Sequence, residues 1–240
     1  MPVRAVVVSL AVASVALGGL SAAVQLARYV YGHDSLLGLY RQFDMDHEAN
    51  LPTWFSSSLL LVSAALLALI AGERGARRAP GVKTWWALAG LFVFLSMDEA
   101  ASFHEQMLLP RAWLGGMAGW RGVTWLLPAV LAVVAIVVAL GRFVRALPAR
   151  TRVRLLIATA LLLGGEMGLE LVGQLVKVEL GARTLGYALM YTVEETVGLL
   201  GEVAFIYAWL DYLAHGPGPL AIAFGRRAED PLAAGGRAGP

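Results

Sequence analysis

Apolar residues fall in six long runs rather than at strand or surface-helix periods. The runs cover residues 3–30, 51–71, 84–109, 123–143, 155–176 and 185–213. Each reaches the roughly 20 residues that an α-helix needs to cross a hydrocarbon core of about 30 Å. The pattern predicts an all-α integral membrane protein, with a bundle of about six transmembrane helices over residues 1–215. A tail over 216–240, rich in Gly, Pro, Ala and Arg, is expected to be flexible and cytoplasmic. Run one has an apolar core, 5–24, longer than a signal-peptide h-region of about 7–15 residues, so it is expected to be retained. Ser21-Ala22-Ala23 nonetheless has the small-residue character of a cleavage site.

Local signals punctuate the runs. Asn50 is a predicted N-cap, followed by Pro52 in the first turn, where a missing N–H costs nothing. Pro128 predicts a first turn or a kink. Leu36, Leu37, Leu39 and Tyr40 predict a short amphipathic segment lying along the membrane surface. Trp54, Trp85, Trp86, Trp120 and Trp125 sit near run ends, as in interfacial belts. The spans leave 13 Lys and Arg on one side and 6 on the other. The positive-inside rule then puts both termini in the cytoplasm and predicts a bacterial inner-membrane location.

Composition narrows the chemistry. The chain is 58% apolar, with formal charge +2 and no cysteine. Thiolate nucleophiles, disulfides and Cys-ligated metals are excluded, and nothing points to nucleic acid. The expected partners are the lipid bilayer and a small lipophilic substrate or cation.

Against this background the run through Leu95–Glu105 is anomalous, because it carries Asp98, Glu99, Ser102, His104 and Glu105. Ionisable groups at membrane depth are costly and mark function by default. Glu166 and Glu170 fall in the fifth run; Glu194, Glu195 and Glu202 fall in the sixth. The predicted topology puts all but Glu202 in the outer half of the bilayer, beside Asp46, His47 and Glu48 of the first connection. Residues at i, i+4 and i+7 share a helix face. Asp98, Ser102 and Glu105 therefore form one line, Glu166, Glu170 and Gln174 another, and Tyr191, Glu195 and Glu202 a third. No Lys or Arg falls inside a span to pair with these acids. Buried like charges must take up protons or bind cations.

The expected site is therefore an acidic chamber open to the outer face, with His47 and Glu48 as a lid. One expectation is a metal-dependent membrane enzyme acting on a lipid-like or quinone-like substrate. Its expected cofactor is a divalent ion, Zn, Fe or Mn, held by His47, Glu48, Asp98, Glu105, Glu166, Glu170, Glu194 and Glu195. His104, Asp98 and Glu99 are the catalytic candidates, with His104 as ligand or general base. A proton- or cation-coupled transporter is the alternative, although the two halves share no repeated motif. A non-catalytic subunit with a structural ion is the third. The Ser56–Ser58 run is expected to pack or cap, and Asp211 with His215 to form a solvated helix-end pair.

Overall fold

The computed structural model describes residues 3–33, 36–103, 124 and 126–215. Among them there is no strand. The helices are α1 (Val3–Tyr29), α2 (Leu39–Phe43), α3 (Leu51–Ala76), α4 (Val82–Ala101), α5 (Leu126–Ala146), α6 (Ala149–Leu163), α7 (Glu170–Leu180) and α8 (Leu185–His215). A 3₁₀ turn, Leu36–Gly38, precedes α2, and a π-helical stretch, Gly164–Leu169, joins α6 to α7. Five helices are long and apolar enough to cross a membrane: α1, α3, α5, the continuous Ala149–Leu180 helix, and α8. The sixth, α4, is shorter than expected and its apolar run is diluted by Lys83, Asp98 and Glu99.

Local chemistry explains the boundaries. Asn50 caps α3 as expected, its Oδ1 accepting from Thr53 N–H at 3.1 Å, with Pro52 in the first turn. Pro128 lies in the first turn of α5. The α4 helix ends eight residues before the expected stop. Ser102 adopts a left-handed conformation, φ 52°, and its N–H bonds the Asp98 carbonyl at 2.7 Å. That residue leaves the helical path, so the predicted line from Asp98 stops being helical at Ser102. Glu105 and His104 lie outside the described residues. The two arginine-rich connections are also shorter than predicted: α3 and α4 leave only Arg77–Gly81 between them, and α5 and α6 only Leu147–Pro148.

Helix α8 is the centre of the bundle. It packs against α1, α3, α6, the π-helical stretch and α7. Aromatic rings fill its C-terminal half: Trp209 meets Trp85 at 6.0 Å and Phe205 at 6.0 Å, and Phe92 meets Phe205 at 5.1 Å. Trp85 is thus a buried core residue, not part of an interfacial belt, whereas Trp54 and Trp86 are exposed.

Glycines allow α8 to approach its neighbours backbone to backbone. A Cβ at Gly165 would lie 2.8 Å from Gly198 N, and one at Gly201 would lie 2.5 Å from Leu162 N. Small residues at such crossings let helices close where lipid supplies no hydrophobic drive. The Gly164–Gly165 pair is a weak point in helix propensity, and the π-helical turn occurs there. Gly201→Val should force the helices apart and cost about 1–3 kcal/mol, lowering the thermal unfolding midpoint in detergent. Gly19→Ala, where a Cβ meets no atom within 4 Å, should leave that midpoint unchanged.

Candidate functional site: a carboxylate chamber beneath a latched loop

The chamber is built on one face of α8. Glu202 is 3% exposed, and its Oε1 accepts from Ser56 Oγ at 2.7 Å. Its Oε2 has no hydrogen-bond partner. Ser56 also hydrogen-bonds Glu99, from the end of α4, so one hydroxyl lies between two carboxyl groups. Glu99 and Glu166 both act electrostatically on Glu202. Glu195 experiences Glu166, Glu99, Glu194 and Glu48. Glu194 lies within hydrogen-bond reach of Glu170, with Glu166 nearby. The Glu166 carboxylate occupies the notch that Gly198 leaves in α8; a methyl group there would collide with it. Carboxylates from α4, the π-helical stretch, α7 and α8 thus converge, with Ser56 from α3 among them.

The α2–α3 connection covers one side of this group. Asp44, 1% exposed, anchors it. Its Oδ1 accepts from Gln25 Nε2 at 2.7 Å, Tyr191 Oη at 2.7 Å and Asp46 N–H at 3.2 Å, while Oδ2 faces His47 Nδ1 at 2.8 Å. Asn50 Nδ2 donates to the Asp44 carbonyl at 2.6 Å. These bonds tie the connection to α1 and α8 at once. Beyond them, Arg28 bonds Tyr40 and stacks 4.4 Å over its ring. Burial, then the hydrogen bond and charge of Asp44, push the Tyr40 hydroxyl up to about 12. Asp46 keeps an exposed edge, yet partial burial and the adjacent Asp44 push its carboxyl up to about 6. Lys177 and His47 pull it the other way.

Glu48, Glu99, Glu166, Glu170, Glu194 and Glu195, expected to form the site, are therefore gathered around α8. Asp98 belongs to the same electrostatic group through Glu99. His47 bonds Asp44. Among the described residues, no three His, Asp or Glu side chains are arranged to hold a metal ion. The depth of one acid and the roles of two polar partners differ from expectation. Glu202 belongs with the outer acids, because α8 runs parallel to α3 and meets it at Ser56. Ser56 is a donor to carboxyl groups rather than a packing group. Gln25, a lone amide in an apolar run, was the one signal pointing to the Asp44 anchor. Lys177, one of the six basic residues expected on the outer side, lies 5.3 Å from the Tyr187 ring centroid and acts on Asp46.

The opposite end of α8 differs from expectation in the same way. Asp211 is 4% exposed, not solvated. It pairs with Arg150 at 2.9 Å, with Arg154, and with His215 at 3.0 Å. Arg154 also donates to Tyr207 Oη at 2.8 Å, and Arg74 to Tyr212 Oη at 2.9 Å.

The family described as Domain of unknown function (DUF8692) matches residues 4–213, and the chain belongs to it. Neither a curated protein nor a solved structure matches the chain.

Asp46 gives the site a measurable pH signature. Its folded carboxyl titrates near 6 against an ordinary 3.8. Between those values the folded chain keeps a proton that the unfolded chain releases. The contribution is fully stabilising below about pH 4 and is lost as pH rises through 6. Asp46→Asn should therefore flatten the fall in unfolding midpoint between pH 4 and 6, measured against the unsubstituted protein in the same detergent.

Proposed function

We propose that this member of the DUF8692 family is a multi-pass protein of a bacterial inner membrane, with six helical passes and both termini cytoplasmic. Its carboxylate chamber takes up protons or a small cation from the outer face. The observation that carries this reading is the convergence of Glu99, Glu166, Glu194, Glu195 and Glu202. The charged groups acting most strongly on Glu99, Glu195 and Glu202 are other carboxylates. Two carboxyl groups share a hydrogen bond, as Glu194 and Glu170 do, only with a proton between them. In a medium without water, such a group is neutralised by protons or by a bound cation.

The chamber serves an enzyme in this reading, rather than a path across the membrane. Below Glu202 the seam between α3, α4 and α8 is filled by Phe92, Phe205, Trp209 and Trp85, and beyond them Asp211 is locked by arginines. A chamber closed on one side suits proton exchange with a lipid-like or quinone-like substrate approaching from the outer leaflet. The divalent Zn, Fe or Mn ion expected from the acids requires ligands beyond the described set. His104 and Glu105 are the residues of the sequence that would supply them.

Two experiments test this. The absence of cysteine makes single-cysteine labelling direct. A membrane-impermeant maleimide should label Ala49→Cys but not Ala79→Cys in intact spheroplasts, and the reverse would overturn the topology. In proteoliposomes the protein should take up protons after an external acid jump without sustained transmembrane flux. Glu195→Gln and Glu202→Gln should each reduce the uptake. Steady flux abolished by Glu202→Gln would establish transport instead, and stoichiometric metal in the purified protein would establish the metal-dependent reading.

A further inference from the structure

Helix α5 is the least enclosed of the long helices described. None of its residues is buried, and Val130, Leu131, Val134, Val137 and Val138 are all exposed among the described residues. It meets the core through Leu140 and Phe143 near its C-terminal end. Phe143 sets the contact. Its ring packs edge-on against Trp85 at 5.0 Å and lies 3.8 Å from where a Cβ on Gly81 would stand. This seats the α5–α6 turn against the α3–α4 turn, which sequence order does not predict.

The contact brings the chain around Gly81 and the chain around Phe143 together, and each carries cations. Lys83 lies two residues after Gly81, Arg142 just before Phe143 and Arg145 two residues after it. Elsewhere at this end the acids are taken: Glu73 by Arg77, and Asp211 by Arg150 and Arg154. Arg145 Nε and Arg152 Nη1 bond only main-chain carbonyls, of Gly141 and Arg145. Among the described residues no carboxylate forms an ion pair with Lys83, Arg142, Arg145 or Arg152. Trp86, exposed beside this patch, has the amphipathic ring that anchors at a membrane interface.

We propose that the seam where the start of α4 meets the C-terminal end of α5 binds an anionic phospholipid. The phosphate sits on Lys83, Arg142 and Arg145, and the acyl chains lie along the uncovered face of α5. Clustered basic residues at the cytoplasmic end of membrane helices attract anionic headgroups, each charge contributing about 1 kcal/mol. The apolar face of α5 supplies the second half of recognition, which inorganic phosphate cannot use. The proposal rests on the membrane-spanning reading but not on the chamber.

Native mass spectrometry of the delipidated protein, with thermal unfolding in detergent, tests it. Phosphatidylglycerol should be retained and should raise the unfolding midpoint. Phosphatidylcholine and inorganic phosphate should do neither. Lys83→Gln, Arg142→Gln and Arg145→Gln alter exposed side chains, so folding should survive. Retention of phosphatidylglycerol should fall roughly fivefold for each charge removed. Arg183→Gln, at the other end of the bundle, should leave it unchanged, as should Glu202→Gln in the chamber. Equal retention of both lipids overturns the proposal, as does an equal loss in the Arg183 variant. So does a cross-linked dimer through α5 that forms regardless of lipid. Failure of the cysteine-labelling topology would instead remove the membrane premise.

Discussion

The close approach of α8 to the Ala149–Leu180 helix is the contact on which the interior depends. At Gly165 and Gly201 the two backbones meet with no side chain between them. Only this closeness lets the Glu166 carboxylate occupy the notch at Gly198, beside Glu195 and Glu202. The π-helical turn lies at the same level and turns one segment of an otherwise regular helix toward the site. Such turns are uncommon and concentrate at functional positions, because an interrupted hydrogen-bond ladder is tolerated where it places a side chain. Packing and site geometry therefore share the same few residues.

The second constraint is electrostatic and divides α8 into two chemically different halves. At its C-terminal end a buried carboxylate is neutralised by the chain's own arginines, with tyrosines taking up further guanidinium donors. Nearer its N-terminus the carboxylates meet one another. A buried ion pair that is fully partnered is self-contained, whereas clustered like charges require a species from outside the protein. The aromatic core between Glu202 and Asp211 keeps these halves apart. The Asp44 anchor stands between the extremes: a buried acid satisfied by an amide, a phenol, a main-chain N–H and one imidazole, and thereby able to hold a polar connection over the bundle.

The order and approximate limits of five long apolar helices were legible in the sequence, because each run of apolar residues declares a span without reference to its neighbours. The Asn50 cap and the first-turn prolines are equally local. The acids of the site were legible too, since carboxylates in apolar runs are conspicuous wherever the fold puts them. The end of α4 was not legible, because a left-handed Ser102 is a backbone choice that the surrounding Ala and Phe residues do not dictate. Asp211 also misled. Two arginines, the second and sixth residues of α6, neutralise it, and a pair four residues apart on one helix gave no hint of them.

Sequence alone determined that this chain is helical, that its helices are apolar along most of their length, and that acids and arginines segregate toward opposite ends. Those properties are sums over single residues. Tertiary structure alone decided which acids meet. It placed Glu202 at Ser56, tied Gln25 and Tyr191 to Asp44, buried Trp85, and brought Phe143 against Gly81. Each of these depends on the rotation and depth of one helix against another. Those are set by a few glycines and aromatic rings whose partners lie tens of residues away or more, and no local pattern encodes them.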